Sequence, residues 1–410
     1  MDWKPVDSVA KRSAEIFAPG AKCPHAEARL KRTSGTWIAY LALTYFALVL
    51  NCLGPVTSFI RIEQRLTYSQ AGMLGSSFAC GFVAASLLAA GISRKLGSWH
   101  TLTLACVGLI SGSALICVAK NFAVVLTGAF LAGTLGSLII SEVPLVLVRE
   151  QQHRSVIALT EANALASATA IFGPAAVSLA EWSNFGWRAA LLAPFALAIA
   201  AAAIFRFARP MPHSTDQPPI SRPGRRLERG FWLNWWPLLL SVAAEFTIIF
   251  WASDFFGREG LSGRSPAAGV LVIFFAAMFI GRALGSRAAS RISSAWIIVV
   301  SLAIAFCGSL SYCWAVSILP RVIGLALLGL GIANLYPTFL SRAIAKAKRN
   351  QVEASAKTTL ASGLAILVFP FVLGAVADLT TLRQAQLLVP SLLVATFCIF
   401  LCSRHLEKAS

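Results

Sequence analysis

Twelve apolar runs of about 18–25 residues, separated by short polar breaks, set the terms on which this chain can fold. As a helix, each is long enough to cross the roughly 30 Å hydrocarbon core of a bilayer. A water-exposed surface on a chain of this length needs about a quarter charged residues. Here 13% are charged and 57% hydrophobic, so lipid has to cover the remainder. The alternation over about 10 residues that marks a membrane β-barrel is absent. The fold class expected is therefore an all-α membrane protein.

The runs place twelve spans. They are α1 at Trp37–Ile60, α2 at Gln70–Ile92, α3 at Thr101–Ala119, α4 at Phe122–Val148, α5 at Ser155–Ala180 and α6 at Arg188–Phe205. After them come α7 at Phe231–Phe255, α8 at Pro266–Arg287, α9 at Ala295–Ile318, α10 at Arg321–Ala345, α11 at Val352–Ala377 and α12 at Gln384–Cys402. Between α6 and α7 lies Arg206–Arg229, with six arginines and five prolines, a segment too basic to cross a bilayer and too poor in apolar residues to build a core. The division expected is a tail over 1–35, a six-helix bundle over 36–205, a linker over 206–231, a second six-helix bundle over 232–403 and a short tail over 404–410.

The net charge of +18 is distributed like that of a membrane protein, not a nucleic-acid binder. With the N-terminus in the cytoplasm, the opposite side receives only Arg61, Arg65, Lys120, Arg188, Arg258, Arg264, Arg321 and Arg383. That asymmetry puts both termini and the linker on the cytoplasmic side. Tryptophans near span ends, among them Trp37, Trp182, Trp232 and Trp236, suit the membrane interface. Eight of the nine cysteines fall within apolar runs with no metal-ligand spacing, and residues 1–35 lack the apolar core of a cleavable signal peptide.

The halves align without gaps at an offset of 196 residues, the separation of Pro174 from Pro370. In this register Gly112-Ser113 meets Gly308-Ser309, Cys117 meets Cys313, and Gly128 and Gly133 meet Gly324 and Gly329. Such a parallel repeat relates two halves about an axis along the membrane normal.

Twelve spans, a basic central linker and parallel halves resemble the major facilitator superfamily over about residues 36–403. Gly173-Pro174 in α5, Gly186-Trp187-Arg188 opening α6, Gly281-Arg282 in α8 and Pro370 with Gly374 in α11 are similar to family patterns. The α2–α3 turn keeps Gly97 but carries Arg94 where the family usually has an acid, and Ser290 stands at the matching place in the second half. Ala129 occupies the position of the intramembrane arginine of many drug antiporters. These departures weigh against drug/proton antiport.

The resemblance implies a cavity lined by α1, α4, α7 and α10. Glu245 lies near the middle of α7, and its sequence neighbours offer no cation; Ser241, one turn back, is the nearest hydroxyl. A charge at that depth is costly. Glu245 therefore reads either as a proton-coupling or cation-binding group, or as a neutral acid hydrogen-bonded between helices. Polar stripes supply further candidates for substrate contact: Tyr40, Thr44 and Asn51 on α1; Thr134, Ser137 and Ser141 on α4; Asn334, Thr338 and Ser341 on α10. The competing reading for the hydroxyls is helix-packing glue. Glu142, Glu161, Arg282 and Lys357 lie toward the cytoplasmic mouth as candidate gating ion pairs. In this fold α5 packs beside α8, so Glu161 and Arg282, at matching depth, are expected to pair when that side closes.

The function the resemblance implies is secondary transport of a small organic solute by alternating access in the cytoplasmic membrane, with protons as the candidate coupling ion. Efflux of amphipathic compounds is the alternative, and a receptor or assembly protein on the same fold is a third reading. No phosphate loop for ATP is present, and the five histidines lie outside the spans, so enzymatic activity is not expected. No cofactor, metal or nucleic acid is expected; lipid and a small-molecule substrate are the expected partners of a monomer.

Overall fold

In the computed structural model, residues 32–151, 155–192, 227–258, 264–289, 291–347 and 351–409 are described, and every regular element among them is helical. The N-terminal tail before Arg32 and the linker from Arg206 to Arg226 lie outside the described residues, as does most of α6.

The helices follow the expected order with shifted ends. They run Ser34–Glu63 (α1), Tyr68–Leu96 (α2), Ser98–Val118 (α3), Ser155–Trp182 (α5), Arg229–Arg258 (α7), Arg264–Ala288 (α8), Ser294–Trp314 (α9) and Gln351–Leu379 (α11). Of α6, Trp187–Leu192 is described. Three spans are made of two pieces: Phe122–Gly136 and Leu138–Gln151 in α4, Ile318–Ile332 and Leu335–Lys346 in α10, and Leu382–Ala385 and Leu388–Ala409 in α12. Among the described residues, ten helices are long and apolar enough to cross a membrane. Large apolar side chains such as Leu88, Val107, Phe172, Leu179, Phe279 and Val300 face outward, where lipid covers them.

Local chemistry sets the ends. Thr67 caps α2 by accepting from the Gln70 amide while the Gln70 side chain returns to the Thr67 amide, a capping box. Gly97, at φ 79°, ends α2 and leads directly into α3, a conformation that suits glycine. Pro320 in the first turn pulls the start of α10 forward to Ile318, so α9 stops at Trp314, four residues before its expected end.

The repeat holds at the level of contacts. At the offset of 196, α3 superposes on α9 and the first piece of α4 on the first piece of α10, end for end, and the break at Ser137 falls on Ala333. Gly112 packs against the Gly128 carbonyl and Ala132, as Gly308 packs against the Gly324 carbonyl and Leu328. Gly133 abuts the Phe78 carbonyl, and Gly329 abuts the carbonyl of Phe274, the residue equivalent to Phe78. Between hydrocarbon-solvated helices, close approach over small residues is what brings backbones into contact. The halves meet through α2 against α11, α5 against α8 and α1 against α7.

Gly112→Val and Gly308→Val should therefore each lower the melting temperature of the detergent-purified protein, with an overpacking cost of about 1–3 kcal/mol. Gly91→Ala, whose added Cβ meets nothing within 4 Å, should melt like the parent. A neutral result at either packed glycine would contradict the helix contacts described.

Candidate functional site

One face of the bundle carries the starts of α1 and α7 and most of the basic residues; it is called the basic face here, and the opposite one the far face. At the far face the halves are locked together. Arg61, near the end of α1, donates to Asp254, near the end of α7, at 2.8 Å. Asp378 of α11 accepts from the backbone amides of Tyr68 and Ser69, each at 2.8 Å, and from the Ser69 hydroxyl. A carboxylate there meets the unsatisfied amides and partial positive charge that begin α2. The Trp251 indole donates to the Pro370 carbonyl at 2.9 Å. Glycines close the remaining space: Gly54 lies on the Ile249 carbonyl, Gly72 on the Pro370 carbonyl and the Phe371 backbone, and Gly374 on the Tyr68 carbonyl.

The basic half of the same interface is looser. Every residue of α7 from Thr247 to Phe256 is buried, whereas Leu240, Glu245 and Phe246 keep partial exposure and Trp232 and Trp236 are exposed. Glu245 stands near the middle of the 30-residue α7. Its carboxylate makes no hydrogen bond or ion pair within bonding distance among the described residues. Arg282 of α8 and Tyr336 of α10 lie within electrostatic reach of it, and the Tyr336 hydroxyl neighbours Ser362 of α11. The structure differs from the sequence expectation on two points. Ser241 donates to the Leu238 carbonyl at 2.8 Å, which uses the hydroxyl expected to serve Glu245. A cation is also present, supplied by α8 and therefore invisible in the sequence around Glu245.

The other candidates divide by location. The buried Tyr40 donates to Glu161 at 2.8 Å, tying α1 to α5. Asn51 sits beside Gly173 of α5 and gives its amide to the Ala47 carbonyl at 2.7 Å. Asn334 gives its amide to the Gly281 carbonyl of α8 at 3.0 Å, and Thr338 donates to the Asn334 carbonyl at 2.6 Å. Ser137 donates to the Thr134 carbonyl at the break in α4, and Ser141 is exposed. Glu161 and Arg282 form no ion pair with each other in this arrangement.

Glu142 and Lys357 belong to polar clusters inside their own halves. Glu142 is buried beside Ser93, Ser98 and Arg149. An acid therefore does occupy the α2–α3 corner, carried by α4 instead of by the turn. Lys357 lies 3.8 Å from Glu353 and over the Trp232 ring. The corresponding cluster of the second half joins Arg342 to Asn234 at 3.0 Å and to Ser294 at 3.4 Å, as Arg149 reaches Ser98 at 3.1 Å in the first. The offset of 196 pairs Ser98 with Ser294 but sets Arg149 against Ala345, so the register shows only the serines of this match. Sequence reasoning misses Asp254 and Asp378; the signal available is an acid at the end of an apolar run on the side poorest in cations.

The family model of the Major Facilitator Superfamily matches residues 34–370. No curated protein matches significantly. Among solved structures, a bacterial homologue of the human lysosomal transporter Spinster, in an inward-facing and occupied conformation, is similar with a TM-score of 0.77 at 14% identity, over 92% of this chain and 98% of that one. The nucleoside transporter NupG gives 0.72 at 12% identity, over 92% and 99%. FucP, a major facilitator transporter in the outward conformation, gives 0.57 at 19% identity, over 90% and 99%. The matched model spans most of the helices whose packing has been described, and this chain belongs to the Major Facilitator Superfamily.

Proposed function

We propose that the chain is a secondary active transporter that moves a small organic solute by alternating access, with Glu245 as the proton-coupling acid. The observation that carries this reading is a carboxylate without a bonded partner among the described residues, on a partly exposed residue near the middle of the most buried span, with Arg282 and Tyr336 of two other helices within electrostatic reach. An intramembrane acid of this kind points to a solute or proton path. Protonation would cancel its attraction for Arg282, and so couple proton uptake to where that cation rests.

The halves, 36–205 and 232–403, would rock about the far-face lock, with the basic face and both termini in the cytoplasm. A closed far face fits an inward-facing state. The greater likeness to the inward-facing Spinster homologue than to outward-facing FucP supports it. When the basic face closes, Arg282 would leave Glu245 for Glu161, which Tyr40 already holds. Asn51, Asn334, Ser137, Ser141 and Thr338 remain proposed substrate contacts, available once rearrangement frees their hydrogen bonds. Efflux of amphipathic compounds ranks second, because Phe250, Trp251, Phe255 and Phe256 of α7 are spent on packing.

Reconstituted in vesicles with an imposed pH gradient, Glu245→Gln should lose gradient-driven accumulation and keep solute exchange. Accumulation equal to the parent would reduce Glu245 to packing. The solute itself is to be found first, by the rise in stability that a ligand of the native state confers in a thermal screen. Glu161→Gln and Arg282→Gln should each raise accessibility of introduced cysteines from the cytoplasm, by a population shift of about tenfold, and exchanging the two charges should partly restore it. Parent-like accessibility in both single variants would remove the gate.

A further inference from the structure

On the far face, α1 with the turn after it, α7 and α8 border an open cavity of about 550 Å³ next to the Arg61–Asp254 pair. That volume lies within the range of small-molecule sites, about 300–1,000 Å³. Three guanidinium groups line it, from Arg61, Arg65 and Arg258, against the single carboxylate of Asp254. Asp254 is already engaged by Arg61. Among the described residues no acid pairs with Arg65 or Arg258.

The lining is built and unsatisfied. Arg61 and Asp254 are 12% and 5% exposed. Arg61 Nε, the hydroxyls of Ser58 and Ser253, and Asp254 Oδ2 are buried without a hydrogen-bond partner. Three of these four atoms can donate, and buried donors left unmet are costly. The guanidinium groups of Arg61 and Arg258 each rest over the Tyr68 ring, at 4.6 and 5.0 Å, so one aromatic ring positions both.

We propose that this cavity binds an organic anion through a carboxylate or phosphate group, held by Arg61, Arg65 and Arg258 with Ser58 and Ser253 as hydroxyl donors. Planar forks in a cleft of one sign suit oxyanions, which they grip in bidentate fashion. The anion competes with Asp254 for Arg61. Its binding therefore loosens the ion pair between α1 and α7, and occupancy favours opening of the far face. The site is separate from Glu245 and stands whether or not that acid couples protons.

The test uses the full chain, in detergent and in lipid nanodiscs, with citrate and inorganic phosphate as soluble probes and sodium chloride at matched ionic strength as control. Phosphatidylglycerol against phosphatidylcholine nanodiscs distinguishes a lipid headgroup from a soluble anion as the source. The parent should show a saturable rise in melting temperature with at least one anion. Arg65→Gln combined with Arg258→Gln should weaken it at least about tenfold, as expected for lost charge-assisted bonds. Arg65→Gln alone, which breaks no contact among the described residues, should weaken it severalfold. Asp254→Asn, which removes the competing carboxylate, should tighten it. Saturation by phosphatidylglycerol alone supports the same chemistry with a headgroup as its source. An equal rise in the double variant, or no saturable rise with any probe, would overturn the proposal.

Discussion

Hydrocarbon forms no hydrogen bonds, and most of this structure follows from that. Each span must satisfy its own backbone, so the chain is helical throughout its described residues. Hydroxyls buried in the spans turn back on the same helix, as Thr57 does to the Leu53 carbonyl and Thr396 to the Leu392 carbonyl, both at 2.7 Å. Helix pairing cannot draw on apolar burial against lipid, so it draws on glycine, and the same glycine contacts recur in both halves. Some buried polar groups escape this rule, among them the hydroxyls of Tyr45, Ser113, Thr247 and Tyr312 in the spans and those of Ser58 and Ser253 beside the far-face cavity. Glu245 is a partly exposed residue at mid-depth of α7, and the serines and arginines of the far-face cavity lie beside the lock between the halves.

The fold was largely legible because its determinants are local or periodic. Apolar length gives the spans, and the spacing of Gly112, Gly128, Pro174 and their partners gives the repeat. The site was legible only in part. Periodicity puts Asn51 and Asn334 on particular helix faces, but it cannot say that the first amide goes to Ala47 and the second to Gly281 of α8. Pairings between distant residues were beyond reach in the same way. Arg61 and Asp254 are 193 residues apart, and Ser69 and Asp378 are 309 apart. An acid at the end of an apolar run looks like any interfacial charge until the helix it faces is known. Glu142 illustrates the converse: its depth follows from its place in α4, but its partners on the α2–α3 corner lie some fifty residues earlier.

The two ends of the bundle divide labour by their chemistry. The far face is held by an ion pair, a capped helix start and backbone contact, all of which depend on close approach. In the basic half of the interface, Arg282 of α8 lies within electrostatic reach of Glu245 without a bonded contact between them.

The far-face seam has an electrical consequence. Where Gly54, Gly72 and Gly374 bring backbone onto backbone, the helices leave little room for water between them. In the inward-facing state proposed above, a membrane voltage would fall mainly across this seam and little of it between the basic side and Glu245. A proton that reached Glu245 from the far face would cross most of the field, worth about 2.3 kcal/mol per 100 mV. One arriving from the basic side would cross little of it. In that state the thickness of the glycine seam would set how strongly voltage, as distinct from pH, acts on the charge of this acid.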